Sequence, residues 1–222
     1  MRLLHHFILQ PDSRKVRLLL GEKDASFETR NERPWALSQT VLDLNPAGDL
    51  PVMIEPDGAV IADSHAICEF IEETCPHPPL IGHGATARAE VRRLAGWFDT
   101  KFAREVSAPL LHERLIKRLG HGGSPDSQAI RESLAGLRRH LDTIGYLVNH
   151  RRWLAGDSFS LADIAAAAHL SVVDYLGDVP WDGYPDAKDW YASIKSRPAF
   201  RPLLLDQVPG IPPAAHYTNL DF

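Results

Sequence analysis

The chain has 222 residues and carries 24 lysines and arginines against 29 aspartates and glutamates, a net charge of −5 that argues against a general nucleic-acid binder. Its length allows one large or two small domains, and no apolar run approaches the roughly 20 residues that cross a bilayer, so no membrane insertion is expected. The N-terminus lacks the long apolar core and small-residue cleavage site of a secretory signal, which makes the cytoplasm the expected location.

In chain order, Leu3 to Phe7 reads as a strand, with His5 and His6 pointing to opposite faces. Ser13 to Lys23 has helical period with Val16, Leu19 and Leu20 inward, and Ser13 is placed to cap it. Ala25 to Thr29 reads as a second strand. Arg33 to Leu44 reads as a loop with a short helix carrying Trp35. A tryptophan among Asn31, Glu32, Arg33 and Pro34 is either a core plug or an interface anchor, and the polar neighbours favour the anchor.

The segment from Asn45 to Ser64 is the most informative. Pro51 lacks a ladder donor and immediately precedes the apolar run Val52, Met53, Ile54. Asp57-Gly58 supplies a hairpin turn into Ala59, Val60, Ile61. Ser64 is the expected N-cap of a helix through Ala66, Ile67, Phe70 and Ile71. Residues 1–79 thus order themselves as a small α/β sandwich.

Proline and glycine density at Pro76 to Pro79 and Gly82 to Gly84 marks a break, placing a linker at 80–86. Residues 87–205 read as wholly helical. Arg88 to about Leu119 is one long helix with a kink expected at Pro109, and Ser124-Pro125 opens the next. Phe159-Ser160-Leu-Ala-Asp163-Ile164 predicts a capping box between Ser160 and Asp163, with Phe159 stapled onto Ile164. Residues 206–222 read as a non-helical tail. Cys68 and Cys75 fall seven apart on one helix, about 10.5 Å along its axis, beyond disulfide reach. None of the 11 histidines falls in a ligand pattern, so no metal is expected.

The run Asn45-Pro-Ala-Gly-Asp-Leu-Pro51, the pair Asp63-Ser64 and the box Ser160 to Asp163, in that order and spacing, resemble the cytosolic glutathione S-transferases. The resemblance implies an α+β architecture, a thioredoxin-like N-terminal α/β domain followed by an all-α helical bundle, and a homodimer. It also implies that Pro51 is cis and that Leu50, Pro51, Asp63 and Ser64 form a glutathione-binding site. Independently, Ser64 at a helix N-terminus offers a hydroxyl and free amides to a carboxylate, although it would equally cap its own helix.

At the position that the resemblance assigns to sulfur activation, the chain has Gln10 in place of serine, tyrosine or cysteine; Ser13 is the nearest hydroxyl. A glutamine amide donates a hydrogen bond but is a poorer thiolate stabiliser and cannot be a nucleophile. Gln10 and Ser13 are the candidate catalytic residues of a glutathione-dependent transferase or isomerase, the alternative function. Trp35, the missing serine or cysteine and the end Leu220-Asp221-Phe222 are more similar to the glutathione-transferase-like division proteins of alphaproteobacteria. That resemblance implies a non-catalytic homodimer without a required cofactor, located at the division site. Its implied partner is the FtsZ polymer, with Trp35, Glu113, Arg114, Arg118, Asp221 and Phe222 as contact residues.

Overall fold

A computed structural model of the chain describes residues 1–220. Four strands form one mixed sheet in the order β2-β1-β3-β4: β1 (Arg2–His6), β2 (Phe27–Asn31), β3 (Val52–Ile54) and β4 (Val60–Ala62). β1 and β2 run parallel and are joined by the helix α1 (Pro11–Glu22), as a parallel pair requires. β3 pairs antiparallel with both β1 and β4, setting Leu4 opposite Met53 and Met53 opposite Ile61. α2 (Gln39–Leu44) and α3 (Ser64–Thr74) complete this half. The strands sit within one or two residues of the expected positions. Trp35, however, lies in the turn before α2 rather than on a helix.

The second half is helical. α4 (Gly84–Gly96) continues without a break through π-helical turns at Trp97–Ser107, the short α5 (Ala108–Leu111) and further π-helical turns at His112–His121. Pro109 sits in α5 between the two wide-turned runs, where a missing backbone N–H is accommodated without ending the helix. α6 (Ser127–His150), α7 (Leu161–Tyr175), α8 (Pro185–Lys195) and α9 (Arg201–Leu204) follow. Asp126 caps α6, its carboxylate accepting from the amides of Gln128 and Ala129, so the helix begins just after the expected Ser124-Pro125. The Ser160 and Asp163 capping box forms as expected, and Asp163 also accepts from the Leu154 amide and the Trp190 indole. Phe159 stands edge-on to Trp153 and 4.1 Å beneath the Arg197 guanidinium.

α7 is buried on every side, and its run Ala165 to Ala168 lets neighbours approach closely. α1 lies between the sheet and α7, so Val16, Leu19 and Leu20 are joined in the interior by Arg14, Lys15 and Arg17. A buried charge without partners is very costly, and each of the three has found them. Arg14 donates to the Ile8 carbonyl, the Ser171 and Tyr217 hydroxyls and Asp206. Arg17 grips the same Asp206 through both carboxylate oxygens, and Lys15 reaches Asp99 at 2.6 Å.

The tail docks on its own protein through Tyr217, which is fully buried. The Tyr175 hydroxyl donates to the Ile211 carbonyl and accepts from the Val208 amide, and the Ala214 amide donates to the Tyr175 carbonyl. Both cysteines are free thiols; burial pushes the Cys68 thiol up to about 12, which leaves it unreactive at neutral pH. Among the described residues no helix is long and apolar enough to cross a membrane, and no cluster of His, Cys, Asp or Glu could hold a metal ion.

Candidate functional site

A cleft of about 650 Å³ opens where the two halves meet. The Leu50-Pro51 peptide bond is cis, as the sequence resemblance implied, and it delivers the chain into β3 at the cleft edge. On the opposite lip, Asp63 turns the chain from β4 into α3. Its φ of +78° is a conformation non-glycine residues rarely adopt. Asp63, not Ser64, is the N-cap of α3: its carboxylate accepts from the amides of His65 and Ala66 at 2.7 and 3.1 Å. Ser64 is the first helical residue, and its hydroxyl donates to the Asp12 carboxylate at 2.8 Å. Leu50, Asp63, Ser64 and Gln10 all border the one cleft, so the structure brings these four candidates together.

Both candidate catalytic residues make internal hydrogen bonds. The Gln10 amide nitrogen donates to the Leu50 carbonyl at 3.1 Å. The Gln10 amide oxygen accepts from the Ser13 hydroxyl at 3.3 Å, and that hydroxyl accepts from the Phe7 amide. Ser13 is fully buried, and Gln10 precedes α1 without capping it by a side-chain bond. Ser13 would have to give up its bond to Gln10 before it could donate to a bound sulfur, whereas the second N–H of the Gln10 amide makes no hydrogen bond among the described residues.

The floor of the cleft is acidic. Asp12, Asp49, Asp63 and Asp99 line it, and no lysine or arginine does. Lys15 lies beneath, 4.0 Å from Asp12 and bonded to Asp99, which also faces His169 at 3.5 Å. Burial would push the Asp99 carboxyl up, but the facing His169 at 3.5 Å and the Lys15 charge outweigh it and hold it below its ordinary value. Burial likewise disfavours the Lys15 charge, and the surrounding acidic groups reverse that effect and raise its pKa. Glutathione carries two carboxylates and one ammonium group, so these residues do not fit it: the one buried hydroxyl of the cleft is already bonded to an anion, and the one nearby cation is neutralised. Asp12, Lys15 and Asp99 were not among the sequence candidates. Asp12 was discoverable as an acidic residue two positions past Gln10; nothing in the helical period reveals that Asp99 faces Lys15.

The remaining candidates lie away from this cleft. Trp35 is half-buried, edge-on to Phe7 at 5.6 Å, and rests on Gly120, where a Cβ would come within 2.8 Å of its Cγ. It lines a second hollow of about 300 Å³ with Ile8, Arg33, Leu119 and Val208. Glu113 is held between Lys117 and the Asp126 amide, and Arg114 is paired with Asp178. Arg118 is exposed and makes no hydrogen bond or ion pair among the described residues. Asp221 and Phe222 lie outside the described residues.

Two family models match the chain: "Glutathione S-transferase, N-terminal domain" over residues 11–74 and "Glutathione S-transferase, C-terminal domain" over residues 107–198. The chain belongs to the glutathione S-transferase family. Within this family it is 52% identical to FtsZ-localized protein A of Caulobacter vibrioides, over 100% of this chain and 98% of that one. The solved structure of FzlA from C. crescentus superposes with a TM-score of 0.97 at 52% identity, covering 100% of this chain and 99% of that chain. A structure described as a glutathione S-transferase from Rhodospirillum rubrum superposes with a TM-score of 0.98, also at 52% identity and with full coverage of both chains.

Proposed function

We propose that this glutathione S-transferase family member is a non-catalytic cell-division protein that binds FtsZ filaments as a homodimer at the division site. The observation that carries the reading is the 52% identity, along essentially the whole of both chains, to a protein named for its localisation with FtsZ. Gln10 in place of serine, tyrosine or cysteine supports the non-catalytic part, since a glutamine amide stabilises a thiolate poorly and cannot be a nucleophile, and the Ser13 hydroxyl is buried and bonded to Gln10.

Within that reading, Trp35 and Arg118 are the contact residues best placed to meet a filament: one is a half-exposed aromatic beside a hollow, the other an unpaired exposed cation. Glu113 and Arg114 support the same surface from within, through Asp126 and Asp178. Asp221 and Phe222 are proposed contacts on sequence grounds. A homodimer presents each surface twice, which raises avidity for a polymer without any new contact.

The reading is tested in cells with a fluorescent fusion expressed at native level. It is expected to concentrate at midcell while FtsZ is present and to disperse on FtsZ depletion, and Asp221→Lys should impair division. Diffuse fluorescence in dividing cells would remove the reading. Light scattering tests the dimer: a monomer mass at micromolar protein would refute it.

A further inference from the structure

The N-termini of α1 and α3 converge on one carboxylate. Asp12 lies in the first turn of α1, and the Ser64 hydroxyl in the first turn of α3 donates to it at 2.8 Å. Both helix dipoles favour a negative charge at that point. Asp63 covers the amides of His65 and Ala66 with its own carboxylate, which withdraws those two first-turn donors from an incoming anion.

We infer that Asp12 is an internal anion seated where an incoming carboxylate would have to bind, and that it is the residue by which this cleft excludes glutathione and other anionic thiol peptides. A second carboxylate sharing the Ser64 hydroxyl would stand roughly 4 Å from the first, and like charges at that distance repel although water reaches Asp12, whose side chain is 37% exposed. No arginine or lysine lines the cleft, and Lys15, 4.0 Å from Asp12 beneath the floor, is bonded to Asp99 at 2.6 Å. The exclusion is thus a repulsive element built into an otherwise intact cleft. It concerns a different surface from filament binding and stands whether or not the protein binds FtsZ.

The test is calorimetry with reduced glutathione on the full-length wild type, Asp12→Ala, Asp12→Asn and the double variant Asp12→Ala with Ser64→Ala. Thermal melting of each checks that it is folded. The wild type should show no binding at millimolar ligand, and both single variants should gain affinity by at least about tenfold over that limit. Adding Ser64→Ala should abolish the gain. Sub-millimolar binding by the wild type would overturn the inference. So would folded Asp12→Ala and Asp12→Asn proteins that both remain silent, or a double variant that keeps the gain. Should Asp12→Ala fail to fold, Asp12→Asn alone decides, because it preserves shape and removes only the charge.

Discussion

The guanidinium of Arg14 bonds the hydroxyl of Tyr217 at 2.8 Å across 203 positions of sequence, with both side chains out of contact with solvent. The same guanidinium reaches Asp206 and Ser171, so one residue of α1 fastens the N-terminal half to α7 and to the tail. The tail is therefore a structural element as far as Tyr217. Replacing Tyr217 by Phe keeps the ring packing and leaves Arg14 and the Leu203 carbonyl each one partner short. It should lower stability by about 1–3 kcal/mol in chemical denaturation, without loss of helix content in the folded state. A change below about 0.5 kcal/mol would contradict the bolt.

Buried His6 makes a second, pH-dependent claim. Burial, reinforced by Arg17, Arg14 and His5, pushes its pKa from the ordinary 6.5 down to about 3, so the folded state keeps it neutral while the unfolded chain takes up a proton below pH 6.5. The unfolded state then binds more protons and stability falls with pH, by about 1.4 kcal/mol per unit well below 6.5 and until about pH 3. The contribution is fully present above pH 6.5. Between pH 7 and pH 5, His6→Gln should lose roughly 2 kcal/mol less stability than the wild type. Parallel stability profiles for the two proteins would refute the assignment.

How much of this was legible in the sequence differs between fold and site. The succession of strands and helices along the chain and the Ser160 and Asp163 capping box rest on local signals, namely period and cap chemistry, whereas the cis Pro51 is implied by the family resemblance; the structure shows all three. The cap of α3 moved from Ser64 to Asp63 because aspartate adopted a positive φ that sequence patterns do not announce. The acid at Asp12 and the buried Lys15 and Asp99 pair depend on how α1 meets α3 and the long helix, a tertiary relation with no period of its own. Glu113 and Arg114, named as contact residues by the resemblance alone, also hold the Asp126 amide and Asp178, pairings between distant segments that no local pattern announces.

Arg118 and Arg114 separate partner binding from support. Arg118→Glu should leave the melting temperature within a degree or two, since the side chain is exposed, yet weaken FtsZ pelleting several-fold. Arg114→Ala should lower the melting temperature, because it leaves the mostly buried Asp178 without its cation. Equal pelleting by wild type and Arg118→Glu would remove Arg118 from the surface.

Gly120 tests the seat of Trp35. A methyl group there would lie 2.8 Å from Trp35 Cγ and 2.9 Å from its Cβ, both too close to persist. Gly120→Ala should therefore shift tryptophan emission to the red as Trp35 is displaced outward, and cost about 1–3 kcal/mol if the ring resists. The red shift should vanish in the background Trp35→Phe. An unchanged spectrum together with unchanged stability would show that the contact is not maintained in solution.

The central claim is that this family member binds FtsZ filaments, and co-sedimentation with assembled FtsZ tests it most directly. Purified wild-type protein at micromolar concentration should pellet with the polymers in a saturable way, stay in the supernatant when FtsZ is unassembled, and pellet less after Trp35→Ala. Wild-type protein that remains in the supernatant beside fully pelleted FtsZ would contradict the account.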